Sequence, residues 1–90
     1  MMKQIIPSTR FKKDFKRYKR NSKFVDELYI VLDFLRRGEV LPGKYQAHKL
    51  IGNYNGCIEC HIENDILLIW IDDNLNTISL VRLGSHSELF

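Results

Sequence analysis

An α+β fold follows from three features of the sequence. Two adjacent segments each carry an apolar stripe at helical spacing. Three later segments, each bounded by turn residues, read as strands. The chain has 90 residues, enough for one core and no second one. The expected architecture is a short N-terminal strand and a two-helix hairpin packed on an antiparallel sheet of three to four strands. Together these form a single domain over residues 1–90.

Lys3–Ile6 reads as the first strand, closed by Pro7. Ser8 or Thr9 can cap a helix that reaches to near Asn21, because Phe11, Phe15 and Tyr18 recur at i, i+4 and i+7. Ser22 can cap a second helix in which Phe24, Leu28, Val31 and Leu35 share one face, reinforced by Val25, Tyr29 and Leu32. Arg36 and Arg37 suit the negative end of its dipole, and Gly38 can terminate it. Pro42, Gly43, Gly52 and Gly56 mark residues 38–56 as loop, with Lys49-Leu50-Ile51 as a brief strand.

From Cys57 to Glu63 the sequence alternates. Ile58, Cys60 and Ile62 are expected to face the core, and Cys57, Glu59, His61 and Glu63 to face water. Asn64-Asp65 makes a turn. Ile66–Ile71 is continuously apolar and reads as a central strand buried on both faces. Asp72-Asp73-Asn74 makes a second turn, and Thr77–Leu83 is the last strand, ended by Gly84.

Charge is distributed unevenly. Residues 1–45 hold 12 Lys/Arg against 5 Asp/Glu, whereas residues 46–90 set only Lys49 and Arg82 against 6 Asp/Glu. Eight basic residues fall between Arg10 and Lys23, with Asp14 the one acid among them. Such a block is an electrostatic footprint for a polyanion or an acidic protein, or else a solvated helix face. Lys12, Lys13, Lys16 and Arg17 are its candidate polyanion contacts. No apolar stretch approaches the ~20 residues needed to span a bilayer, and the N-terminal apolar run is too short for a signal peptide. The expectation is a cytoplasmic protein with Cys57 and Cys60 reduced.

All three histidines, His48, His61 and His86, lie in the second half. His48 is expected in the loop before the sheet, His61 on the polar face of a strand, and His86 after the last strand. A meander brings strand ends together, so the three can converge at one edge of the sheet, with Asp65 joining them and Arg82 nearby. Alone, each histidine is more often a surface or packing residue than a catalyst. Cys57-Ile58-Glu59-Cys60-His61 formally spells the haem-attachment pattern and offers zinc ligands. Haem attachment requires export, and the spacing puts the two sulfurs on opposite faces of a strand, where they cannot converge on a metal.

The second half also resembles a known family. His48-Lys49-Leu50-Ile51-Gly52, Gly56-Cys57, His61 through Trp70, and the closing Arg82-Leu83-Gly84-Ser85-His86-Ser87-Glu88-Leu89-Phe90 resemble the YafQ-type toxins of the RelE superfamily. Their pattern reads H-x-L-x-G, then G-x-R-x-x-H-I-x-x-D-x-L-L-I-Y, then R-x-G-[ST]-H-x-x-L-F. Phe11-Lys12-Lys13-Asp14 fits the family's first helix. The resemblance implies a RelE-like fold and a toxin of a type II toxin-antitoxin system. It implies an endoribonuclease that cleaves mRNA, often on the ribosome, without a metal or other cofactor, and is silenced by a small antitoxin. His48, His61, Asp65 and His86 fall on the family's catalytic positions, Phe90 on a base-stacking position, and Arg82 on a phosphate contact. Ile58 stands where the family has Arg, and Ile66 where an aromatic often follows the Asp. A non-catalytic module that binds RNA or antitoxin on the same fold is the competing reading.

Overall fold

The structure, a computed structural model, describes residues 2–73 and 75–90. In chain order it comprises β1 (Gln4–Pro7), α1 (Thr9–Lys16), α2 (Ser22–Arg36), β2 (His48–Lys49), β3 (Ile58–Glu63), β4 (Ile66–Asp72), β5 (Thr77–Ser85) and α3 (His86–Leu89). Single 3-10 turns lie at Gly43–Tyr45 and Gly52–Tyr54. The α+β class holds: β2–β5 form the expected antiparallel sheet, and the N-terminal strand β1 joins its edge as a fifth strand. The sheet order is β1-β5-β4-β3-β2, with β1 parallel to β5 and the other pairs antiparallel. The continuously apolar β4 is the central strand, as its composition requires, with Leu67, Leu68, Ile69 and Trp70 buried and only Ile71 open to solvent.

The helix pair covers one face. Phe24, Leu28, Val31 and Leu35 of α2 and Phe11 of α1 pack on Cys60, Ile62, Leu68, Trp70, Ile78, Leu80 and Leu83. Ser8 caps α1 by accepting from the Phe11 N–H at 3.0 Å. That helix stops at Lys16 rather than near Asn21. Tyr18 and Lys19 both donate to the Phe15 carbonyl, which tightens the last turn. Asn21 is then extended (φ −88°, ψ 97°) and caps α2 in place of Ser22, accepting from the Phe24 N–H.

The opposite face is not the open polar surface that the alternation suggests. Cys57, Leu67, Ile69 and Leu89 form a second buried cluster, with Leu50, Tyr54 and Val81 against it. Cys57 is therefore buried, and so is Glu59, although both were assigned to water. The 52–54 turn and α3 fold back over this face, a long-range event that periodicity within β3 cannot report. The two cysteines do diverge, Cys57 into this cluster and Cys60 into the helix-side core.

Other differences are local. The strand expected at Lys49-Leu50-Ile51 is His48–Lys49, and Ile51 is exposed. Gly84 does not end β5; it pairs with Leu67 inside the strand. Gly38 ends α2 with φ +70°, donating to the Leu35 carbonyl, as its sequence position suggests. Asn64 turns the β3–β4 hairpin at φ 51°. Asn74, part of the expected 72–74 turn, lies outside the described residues.

Candidate active site

The expected residues gather on the sheet face opposite α1 and α2. His48 sits on β2 rather than in a loop, directly across from Glu59 of β3. Its Nδ1–H donates to the Gln46 carbonyl at 2.9 Å, which turns Nε2 toward Glu59, 3.6 Å from Oε1. His61, two residues along β3 and on the same face, places its Nε2 3.9 Å from that same oxygen. Glu59 is 3% exposed. One buried carboxylate thus stands between two imidazoles, and it attracts either ring once that ring is protonated.

The second half of the group comes from the chain's end. Asp65 lies in the β3–β4 turn, and His86 opens α3, so the hairpin end and the helix start are neighbours. The His86 Nδ1–H lies 2.9 Å from Asp65 Oδ1. The His86 ring centre is 6.1 Å from that of His61 and 5.8 Å from that of Phe90. Residues 86 and 90 are four apart on a helical turn, so both rings point the same way. Phe90 is 60% exposed, with Tyr54 edge-on at 5.2 Å. The Tyr54 hydroxyl donates to the Leu89 carbonyl at 3.1 Å. The arrangement supplies two imidazole arms, each beside a carboxylate, and an open aromatic surface within one ring's width.

Arg82 is arranged differently. Its Nε and Nη2 donate to Asp14 at 2.8 and 3.3 Å, and the Leu83 N–H donates to the same carboxylate at 3.0 Å. Asp14 thereby fills the edge of β5 that β1 leaves unpaired beyond Leu80. The Asp14 hydrogen bond raises Arg82 further above its usual range, and Tyr54 lies beside the guanidinium. Nη1 takes no part in the pair with Asp14. Arg10, Lys13 and Arg17 join Arg82 and Asp14 around an open cleft of about 380 Å³. Lys12, Lys13 and Lys16 are exposed and, among the described residues, form no ion pair; Arg17 pairs with Glu88. The basic face is thus a separate surface, adjoining the histidine group by way of Arg82 and Tyr54.

The chain matches the family described as the bacterial toxin of a type II toxin-antitoxin system, YafQ, over residues 3–90. It belongs to the YafQ toxin family. Among curated relatives it is 34% identical over 70 residues to a putative YafQ toxin of Haemophilus influenzae, covering 74% of this chain and 65% of that protein. It is 29% identical over 92 residues to the mRNA interferase toxin YafQ of Escherichia coli K12, covering 100% and 98%. Among solved structures, a metal-bound toxin from Helicobacter pylori superposes with a TM-score of 0.86 at 41% identity over the whole of both chains. The Escherichia coli DinJ–YafQ toxin-antitoxin complex matches with a TM-score of 0.86 at 27% identity, over 100% of this chain and 99% of that one.

The two departures from the family pattern turn their side chains to the helix-covered face of the sheet. Ile58 and Ile66 both pack against the helix-side core. His48 and His61 set their Nε2 atoms 3.6 and 3.9 Å from one Glu59 oxygen, and among the described residues no group of three His, Cys, Asp or Glu side chains is arranged to hold a metal ion. Sequence reasoning missed Glu59, Tyr54 and Asp14. For Glu59 the signal was present, since it alternates with His61 on one strand face; its burial was not legible. No local pattern marks Tyr54, which acts through contacts at the other end of the chain. Among the described residues, no helix is long and apolar enough to cross a membrane.

Proposed function

We propose that this toxin is an endoribonuclease that cleaves mRNA by attack of the ribose 2′-OH on the adjacent phosphorus. The P–O2′ bond forms as the P–O5′ bond breaks, giving a 2′,3′-cyclic phosphate and a free 5′-OH. One imidazole must take the 2′ proton and another must return a proton to the departing 5′ oxygen, a task for which groups titrating near neutrality are suited. The observation that carries the reading is the pairing of His61 and His86, 6.1 Å apart, with Glu59 beside the one and Asp65 on the other. At that separation both rings can reach one phosphate lying across their edges. His48 belongs to the Glu59 arm. Charge growing on the phosphoryl oxygens is met by a protonated imidazole or by Arg82 Nη1. Phe90 stacks on a base, a contact worth about 1–3 kcal/mol. Lys12, Lys13, Lys16 and Arg17 hold the phosphate backbone or the ribosome electrostatically.

The relatives named mRNA interferases and the family's type II toxin description support this reading. As in the Escherichia coli complex with DinJ, the partner is a small antitoxin, here acidic where it meets the Arg10–Lys23 face and covering the histidines. Two Helicobacter pylori neighbours are described as metal-bound, one of them with copper in a mutant. The chemistry proposed for this chain needs only its own imidazoles.

The test is cleavage of naked and ribosome-bound mRNA by the purified protein, with EDTA present throughout. His61→Ala and His86→Ala should each slow cleavage about 10²–10⁴-fold while the circular dichroism spectrum stays native, the range for a lost acid or base. Products should end in cyclic phosphate. Wild-type rates in both variants would refute the site, and loss of activity in EDTA with recovery on added zinc would refute the metal-free reaction.

A further inference from the structure

The C-terminal helix bears two members of the proposed site, His86 and Phe90, yet α3 spans four residues. A single helical turn is not stable by itself, because nucleation costs more than one hydrogen bond returns. Something outside the helix must hold it. Leu89 is buried in the second core cluster, and its carbonyl accepts from Tyr54. These contacts fix the depth of the helix but leave it a pivot.

The opposite side of the turn carries Glu88. Its carboxylate accepts the Tyr18 hydroxyl at 2.6 Å and the Ser85 N–H at 2.8 Å, and it pairs with Arg17. Its own N–H returns to Ser85 Oγ, completing a capping box. The room for this comes from Gly84: a Cβ there would lie 2.9 Å from Glu88 Oε1. Glu88 touches none of the rings.

We propose that Glu88 is a positioning residue, which clasps the C-terminal turn to the end of α1 and so holds His86 and Phe90 over His61. The clasp rests on the ribonuclease reading above. Tyr18 and Ser85, the first partners in order, draw the Glu88 carboxyl down to about 2, and Tyr18 itself is pushed up to about 12 by burial and by Glu88. A lowered carboxylate contributes its stabilisation above about pH 4.5 and loses it as pH falls toward 2. The clasp is therefore intact across the whole range in which imidazoles work.

The experiment measures single-turnover cleavage at saturating RNA, RNA affinity by fluorescence anisotropy, and ring-to-ring NMR contacts of His86 with His61 and Phe90. The proteins are wild type, Glu88→Ala, Glu88→Gln, Tyr18→Phe and His86→Ala. Loss of ring positioning by about 1 Å costs up to about 10²-fold in rate. Glu88→Ala should slow cleavage at saturating RNA about 10- to 100-fold and weaken the contacts of His86 with His61 and Phe90; affinity falls as far as Phe90 stacking is lost and rises as Arg17 is released, so saturation is established separately for each variant. Glu88→Gln keeps an acceptor for Tyr18 and Ser85 and should recover part of the rate. Glu88→Ala cleaving within about twofold of wild type at saturating RNA, or losing rate with the His86–His61 contact intact, overturns the proposal. If Glu88→Ala does not fold, Tyr18→Phe decides by the same criteria. His86→Ala separates the two ideas: if it cleaves normally, the ribonuclease site is wrong, whereas an inactive His86→Ala beside a fully active Glu88→Ala sinks only the clasp.

Discussion

Replacing Asp14 by Ala should be the most damaging change at any polar position of α1, although the helix is surrounded by solvent-facing cations. The carboxylate is 3% exposed, and it receives two hydrogen bonds from Arg82 and one from the Leu83 N–H. Removing it leaves a mostly buried guanidinium without its counter-charge and an edge N–H of β5 without an acceptor. Breaking a buried pair from one side costs about 3–5 kcal/mol. Arg82 keeps some access to water, so the lower end, about 3 kcal/mol, is the expected loss. For a domain of this size that lowers Tm by roughly 12–24 °C and the urea midpoint by roughly 1–3 M. Asp14→Asn keeps an acceptor for Leu83 and should fall between Ala and wild type. The double change Asp14→Leu with Arg82→Met removes both charges together and should recover only part of the loss, because the Leu83 N–H still lacks an acceptor, a deficit of about 1–3 kcal/mol. Equilibrium urea unfolding followed by the fluorescence of Trp70 gives all four values. A loss below about 1 kcal/mol for Asp14→Ala, the level of an exposed pair, would refute the claim that this contact fastens α1 to the sheet edge.

Two further outcomes follow from the same structure. Changing Lys12, Lys13, Lys16 and Arg17 to Gln should weaken RNA or ribosome association and flatten its dependence on salt, because fewer counterions are released, while the single-turnover rate at saturation changes little; a large fall in that rate at unchanged affinity would mean these side chains take part in the chemistry. Burial pushes the Cys57 thiol up and the Cys60 thiol to about 12, so Ellman's reagent at pH 8 should modify neither in the native protein and both after unfolding. Because both thiols are raised, their contribution to stability is whole below about pH 9 and declines as pH climbs toward 12; fast labelling of the native protein at pH 8 would contradict this.

Much of the fold could be read from the chain because its signals are local. The stripe from Phe24 to Leu35 reports a helix through i, i+4 spacing, the alternation of Ile58, Cys60 and Ile62 reports a strand with one buried face, and the unbroken run from Ile66 marks the sheet's centre. The family motifs named His48, His61, Asp65, His86 and Phe90 before any geometry was known, and the tertiary structure gathers all five on one face. What the sequence could not supply was the second cover of the sheet. Tyr54 and Leu89 are 35 residues apart, and only when they meet does the Cys57–Glu59 face become buried and Glu59 become a carboxylate held between two imidazoles. The role of Asp14 was hidden for the same reason. On a basic helix it reads as one stray acid, and it becomes an anchor only because β1 ends at Pro7, opposite Leu80 of β5, and leaves the Leu83 N–H seeking an acceptor. Periodicity encodes which way a side chain points relative to its own element. Whether that direction ends in water or in another part of the chain is set by contacts between distant residues, and those exist only in the folded molecule.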